Sequence, residues 1–400
     1  MINLRYLIFF LILKLLFLTS CSFDKKTGIW TGNEKELKRI EELEKASKGN
    51  KFKIFSGLDD SIKEVSATKS ISLGPPQKNS SWIMSGLNIQ NSSGNLYLEG
   101  IKNKFLKKRI GKNKFDVFQK MHSPLFFENN IILSDDKGSI YRINKRGKVY
   151  WKNNVYKKIY KKLYKNLAFT LHNNYIYIVD NIGFVYVLDF NNGSVIWKKN
   201  IKIPIKSNIK VFDNKIYIIN QDNTILCLSI EDGSKIWEVR TVKTFIKSQN
   251  LLGLSVSEKG NLIIINSAGN VLKINSNNGR VLWTMNSLIS LSAFESDFFK
   301  SSDIVINNND VIFSNILSTF SINLDDGHLN WINKIKSSTT PIVDKENIFL
   351  VTDNGFFVNL DKKTGKIIWA NNILKSLKKR KQQTGISGFV MGSGKIYITT

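Results

Sequence analysis

Cysteine, histidine and proline are scarce in this 400-residue chain: two cysteines, three histidines and five prolines. Two cysteines make no disulfide framework, because Cys21 lies in an N-terminal targeting segment and leaves Cys227 alone. Cys227 sits in the apolar run Ile225-Leu226-Cys227-Leu228, where a buried, inert thiol is expected. His122, His172 and His328 are far apart and follow no metal-ligand spacing, and no serine-histidine-aspartate or calcium-binding constellation can be assembled, so no metal and no catalytic residue is predicted. With so little proline, the loops must be shaped by glycine and asparagine. Long helical apolar patterns are absent after the N-terminus, which excludes a helix bundle.

Acidic residues are the other shortage. Against 59 Lys and Arg stand 32 Asp and Glu, a net charge of +27. Such a charge invites a nucleic-acid or anionic-membrane reading. The lysines are nevertheless spread over the whole chain together with abundant asparagine and isoleucine, a bias of AT-rich coding, and nucleic acid is not predicted as a partner. Two local clusters stand out, Lys157, Lys158, Lys161, Lys162 and Lys165, and Lys375, Lys378, Lys379, Arg380 and Lys381; both are expected to be solvated loops.

What is present is a repeat. Six times a glycine is followed four residues later by tryptophan: Gly147/Trp151, Gly193/Trp197, Gly233/Trp237, Gly279/Trp283, Gly327/Trp331 and Gly365/Trp369. Successive tryptophans lie 46, 40, 46, 48 and 38 residues apart, the period of a four-stranded propeller blade. Around residue 180 the pattern is complete, with strands expected over 167–171, 175–179, 184–189 and 195–198 separated by Asn, Asp and Gly turns. An all-β fold follows. Residues that recur in every unit are expected to be structural, the tryptophan ring filling the gap between blades and donating one hydrogen bond. Residues 386–400 open a further repeat without reaching its tryptophan, and residues 81–82 and 96–99 have strand character without a full repeat. The chain is expected to be a fragment of a propeller that is eight-bladed in the full protein, with its last blades incomplete here; irregular closure with fewer blades is the alternative.

Residues 1–21 carry Arg5, an apolar stretch from Tyr6 to Leu18, and Leu18-Thr19-Ser20-Cys21. This ending resembles a lipobox, so 1–21 is expected to be a lipoprotein signal with Cys21 lipidated, an ordinary cleaved signal being the alternative. Ser22 is not the aspartate that favours inner-membrane retention in such lipoproteins, which implies the outer membrane, periplasmic face. Residues 22–75 are expected to be a flexible tether with a short helix over 33–48, and 76–400 the propeller.

The turn-and-tryptophan segments, most clearly Asp361-Lys362-Lys363-Thr364-Gly365-Lys366-Ile367-Ile368-Trp369, resemble the pyrroloquinoline-quinone (PQQ) type β-propeller repeat from about residue 120 onward. With a lipobox, a tether and one propeller, the chain is similar to the BamB-like outer-membrane assembly lipoproteins. That resemblance implies a non-enzymatic scaffold without cofactor, with a BamA-like central barrel subunit and unfolded outer-membrane proteins as partners. It also implies a partner-binding loop after the second-repeat tryptophan, here Ile203-Pro204-Ile205-Lys206, with Ile203, Ile205 and Lys206 as contacts; half-buried strand residues are the alternative. Lys206 stands where the family has arginine and lacks its planar fork. The family's acidic pair in the next long connection has no counterpart in residues 241–252. Two other functions stay open at this stage: a quinoprotein-type dehydrogenase, against which stands the absence of a Cys-Cys pair, and a periplasmic module binding anionic glycans, which only the charge supports.

Overall fold

Tight turns define the strands. Asn173-Asn174 and Asp213-Asn214 take left-handed backbone conformations between the first two strands of their repeats, which closes each hairpin in two residues. The computed structural model describes residues 62–399, apart from 68, 100–105, 112–122, 161–162, 245–247, 249, 289–298 and 376–385. Cys21, the signal, the helix over 33–48, His122, Lys161, Lys162 and the 378–381 part of the second basic cluster lie outside the described residues.

Within them, six antiparallel four-stranded sheets follow one another, each with its strands in chain order, and two strands of a seventh complete the series. Blades 1 to 6 span 125–153, 167–200, 210–240, 254–286, 305–333 and 342–372, and the half-blade spans 388–399. First strands of successive blades are neighbours around a central axis. In blade 2 the middle strands Tyr175–Asp180 and Phe184–Asp189 are almost wholly buried, whereas the outer strand Val195–Asn200 is largely exposed. Middle strands are largely apolar because both faces pack on neighbouring blades. One apolar cluster joins blades 1 and 2, another blades 2 and 3, another blades 3 to 5, and others blades 5 and 6 and blade 6 with the half-blade.

The repeated glycine and tryptophan meet across the five seams between successive complete blades. Gly193 has φ +73°, and a Cβ there would lie 2.6 Å from the Trp151 ring of the blade before it. Gly233, Gly279, Gly327 and Gly365 meet Trp197, Trp237, Trp283 and Trp331 in the same way. Each of these rings donates from Nε1 to a carbonyl of the next blade: Trp151 to Phe190, Trp197 to Ile230, Trp237 to Ser276, Trp283 to Leu324 and Trp331 to Lys362, at 2.8–3.0 Å. A bulge precedes every tryptophan on the outer strand, as where Val187 pairs with Trp197 but Leu188 with Val195. The extra residue increases local twist and turns the ring toward the neighbour. Trp369, on the last complete blade, packs edge-on against Phe357 at 4.9 Å.

At the remaining seam the N-terminal segment substitutes for a blade. Leu106 and Lys108 occupy the place beside Gly147 that a tryptophan ring occupies elsewhere. Lys108 Nζ donates to the Gly147 carbonyl at 2.7 Å, as Asn153 and Asn333 do to Gly193 and Gly365. Residues 62–75, expected in the tether, instead line blade 6: Val65 pairs with Ala370, Lys69 with Asp361, and the Gly74 amide with Asp344. Apolar Ile62, Val65 and Leu73 explain the difference, since each packs onto the core.

Candidate functional site

A strand-poor stretch, residues 82–98, runs through the middle of the ring and touches the first strand of one blade after another. Trp82 pairs with Phe126 and Met84 with Thr170. Val256 donates its amide to Ile89 O, and Ile306 to Gln90 O. Leu96 bridges Gly392 of the half-blade in parallel. The segment is a plug, and it links blade 1 to the half-blade from inside.

Asn91 and Lys210 hold its centre. Asn91 Nδ2 donates to Leu254 O and Ile304 O at 3.1 and 2.8 Å and to Ser255 Oγ at 2.7 Å, while its Oδ1 accepts from Lys210 Nζ at 2.6 Å. The Lys210 ammonium also donates to the carbonyls of Ser85 and Asn88. Lys210 is fully buried, and that burial lowers its pKa to about 8, with Asp303 opposing the shift. Burial raises the Asp303 pKa, against the pull of Lys210 and of hydrogen bonds from the Leu254 and Ile304 amides and Asn208 Nδ2.

Beyond the plug the channel widens into a cavity of about 460 Å³. Trp82, Ser85, Gly86, Asn91 and Ser93 of the plug form its floor, and the segments entering successive first strands form its wall, including 205–208, 250–252, 301–303, 338–342 and 387–390. Its two carboxylates are committed. Asp180 Oδ1 accepts from the amides of Ile182, Gly183 and Phe184, and its Oδ2 from Tyr156, while Asp303 accepts three N–H donors. No group of three or more metal-ligating side chains occurs among the described residues. Calcium requires six to eight converging oxygens, so this donor set does not fit the quinone–calcium pair of a quinoprotein.

The loop singled out in the sequence crosses the rim of this cavity. Ile203 packs its backbone against Gly183, the Ile205 and Lys206 amides donate to Asp180 O and Ile219 O, and Leu252 donates to Lys206 O. Ile205 is 4 % exposed and its side chain belongs to the core between blades 2 and 3, because the chain turns inward there to start blade 3. Ile203 and Lys206 are half-buried, and of the two Lys206 lines the cavity. Of the first lysine cluster, Lys165 is turned inward, over the Tyr156 ring and onto the Leu163 carbonyl, and is not a solvated charge. In the second, Lys375 pairs with Glu64 at 2.9 Å. Cys227 is buried, and burial pushes its thiol up to about 12, which leaves it inert at neutral pH.

Sequence reading missed the plug, Lys210 and Asp303. The only signal was a lone lysine inside the apolar run Ile209-Lys210-Val211 and a cluster of Gly, Asn and Ser over 85–94 without periodicity.

A ring of four-stranded blades locked by tryptophan seams defines the molecule as a β-propeller of the PQQ-like class. The family model described as outer membrane protein assembly factor BamB matches residues 136–371, and the chain belongs to that family. Among solved structures, BamB from Moraxella catarrhalis is similar at 13 % identity and TM-score 0.56, covering 64 % of this chain and 77 % of that one. Sqt1 from Saccharomyces cerevisiae is similar at 12 % identity and TM-score 0.51, covering 66 % and 73 %. A quinohemoprotein alcohol dehydrogenase from Pseudomonas putida aligns at 9 % identity and TM-score 0.48, over 80 % and 75 %. At these identities the likeness to the first two is one of fold alone. No curated protein sequence matches the chain.

Proposed function

We propose that the protein is a non-enzymatic scaffold of outer-membrane β-barrel assembly, held on the periplasmic face of the outer membrane by lipidated Cys21. In this reading it binds a BamA-like central barrel subunit and assists unfolded outer-membrane proteins. The match of residues 136–371 to the assembly-factor family carries the proposal. Two features of the channel support a scaffold over a quinoprotein dehydrogenase: the plug over 82–98 fills its centre, and the cavity carboxylates already accept hydrogen bonds from their own surroundings.

The rim loop is the proposed contact, through Ile203 and Lys206. Both keep exposed surface, and the backbone between them is clamped to the turns of blades 2 and 3, so little ordering entropy is lost on docking. A pull-down from detergent-solubilised outer membranes tests this, comparing the full chain with Ile203→Asp. The buried Ile205 is left intact, since a carboxylate there would disrupt the core. Recovery of the barrel-assembly subunit by the parent and its loss with the folded variant is the expected outcome. Equal recovery by both would reject the loop, and recovery by neither would reject the scaffold function.

A further inference from the structure

We propose that the connection between blades 1 and 2 is a docking loop for an anionic phospholipid bilayer. Residues 156–165 repeat a four-residue unit, Tyr-Lys-Lys-Ile-Tyr-Lys-Lys-Leu-Tyr-Lys. Its tyrosines face the protein: Tyr156 is buried, Tyr160 lies edge-on to Phe184 with ring centroids 5.3 Å apart, and Tyr164 lines the cavity. Its aliphatic residues face water. Ile159, in the 3-10 turn Lys158–Tyr160, is 77 % exposed, the most of any large apolar side chain among the described residues, and Leu163 is 48 % exposed. Hydrogen bonds fix this projection. The Tyr160 and Leu163 amides donate to Lys157 O and Tyr160 O, and Lys165 Nζ donates to the carbonyls of Tyr160 and Leu163. A loop held in this way presents its aliphatic pair with little ordering entropy left to lose.

Lys157 and Lys158, next to Ile159, are exposed, and neither ammonium has an ion-pair partner among the described residues. The neighbouring carboxylates keep their charge and are matched elsewhere. Asp180 supports the charged forms of Lys165 and Lys198 against burial, Asp135 does so for Lys165, and Asp136 is followed by exposed Lys137. The connection between blades 3 and 4 repeats the combination, with Val242 62 % exposed beside exposed Lys243. Both connections run from an outer strand to the next inner one, so the chain order within each sheet puts them at the same end of the ring. Aliphatic tips between lysines suit a bilayer, where the tips reach the acyl boundary while the long lysine stems leave the ammonium groups among the phosphates. The core of a protein interface is depleted of lysine, and a single-stranded nucleic acid would need the tyrosine rings turned outward for stacking. The contact adds to a lipid anchor and does not depend on one.

A polarity-sensitive fluorophore on Ile159→Cys, in the full chain carrying Cys21→Ser, tests the proposal with vesicles of phosphatidylcholine alone or mixed with phosphatidylglycerol. Cys227 is buried and stays unlabelled. The same fluorophore on Ile196→Cys, 49 % exposed on the outer strand of blade 2, is the control for the label's own affinity for lipid. A blue shift is expected at position 159 with phosphatidylglycerol present, and none with phosphatidylcholine alone or at position 196. High salt should reverse it. Replacing Lys157 and Lys158 by Gln should weaken the response about fivefold for each lysine, and Leu163→Ser several-fold, with the thermal midpoint unchanged because all three side chains are exposed. Equal shifts at 159 and 196 would assign the attraction to the diffuse net charge and overturn the loop. The absence of a shift at 159, or a shift indifferent to phosphatidylglycerol or to the two lysines, would overturn it as well.

Discussion

At Gly193 two penalties coincide, and a second glycine separates them. Gly193→Ala forces a β-carbon into the Trp151 ring at a positive φ, whereas Gly394→Ala meets only the φ penalty, its nearest atom being 3.8 Å away. The φ penalty alone is roughly 1–2 kcal/mol, and overpacking adds about 1–3 kcal/mol. Urea denaturation should therefore show Gly193→Ala as the more destabilised by the overpacking increment; equal losses would remove the seam contact from the account. Lys210 makes a prediction of another kind. Its folded-state pKa of about 8 lies below the unfolded value of about 10.5. Between these values the unfolded chain holds a proton that the folded one has released, so stability rises with pH. The thermal midpoint of the parent should climb from pH 8 toward pH 10 relative to Lys210→Met, and parallel curves would refute the assignment. The glycine–tryptophan spacing was legible in the sequence because both partners recur at fixed positions in every repeat. Lys210 was not, because its burial depends on Asn91, 119 residues away.

Among the elements, strands announced themselves and the plug did not. Residues 215–219 and 395–399, Lys-Ile-Tyr-Ile-Ile and Lys-Ile-Tyr-Ile-Thr, both fold as second strands from almost the same sequence. Residues 82–98 have no period of two or of 3.6, since each residue answers to a different blade. Their hold on the ring rests on polar contacts, and Asn91→Ala removes four of them. A loss of about 2–5 kcal/mol is expected, as two carbonyls, a hydroxyl and a buried ammonium lose a partner. Hydrogen exchange should quicken at the Val256 and Ile306 amides, which donate to the plug carbonyls of Ile89 and Gln90. Unchanged exchange there would show that the apolar contacts of the segment suffice to seat it. The 62–75 stretch teaches the same lesson: read as tether, it is held by Ile62, Val65 and Leu73, spaced too irregularly to announce a strand.

For the whole molecule, the proposed membrane attachment through Cys21 and attraction through a net charge of +27 are separable. Salt screens the second and leaves the first intact. After a high-salt wash the parent should stay with outer membranes, and Cys21→Ser should move to the soluble fraction; retention of both would reject the lipid anchor. The number and order of complete blades, their turns and the tryptophans between them follow from the sequence by itself, because each is a local pattern repeated at a constant period. How the ring is joined inside, which charges are buried, and that Ile205 faces the core while Ile203 and Lys206 stay on the rim were decided only by the tertiary structure. These depend on contacts between residues a hundred or more positions apart, or on the direction in which the chain enters the next blade, and no periodicity within one repeat encodes either.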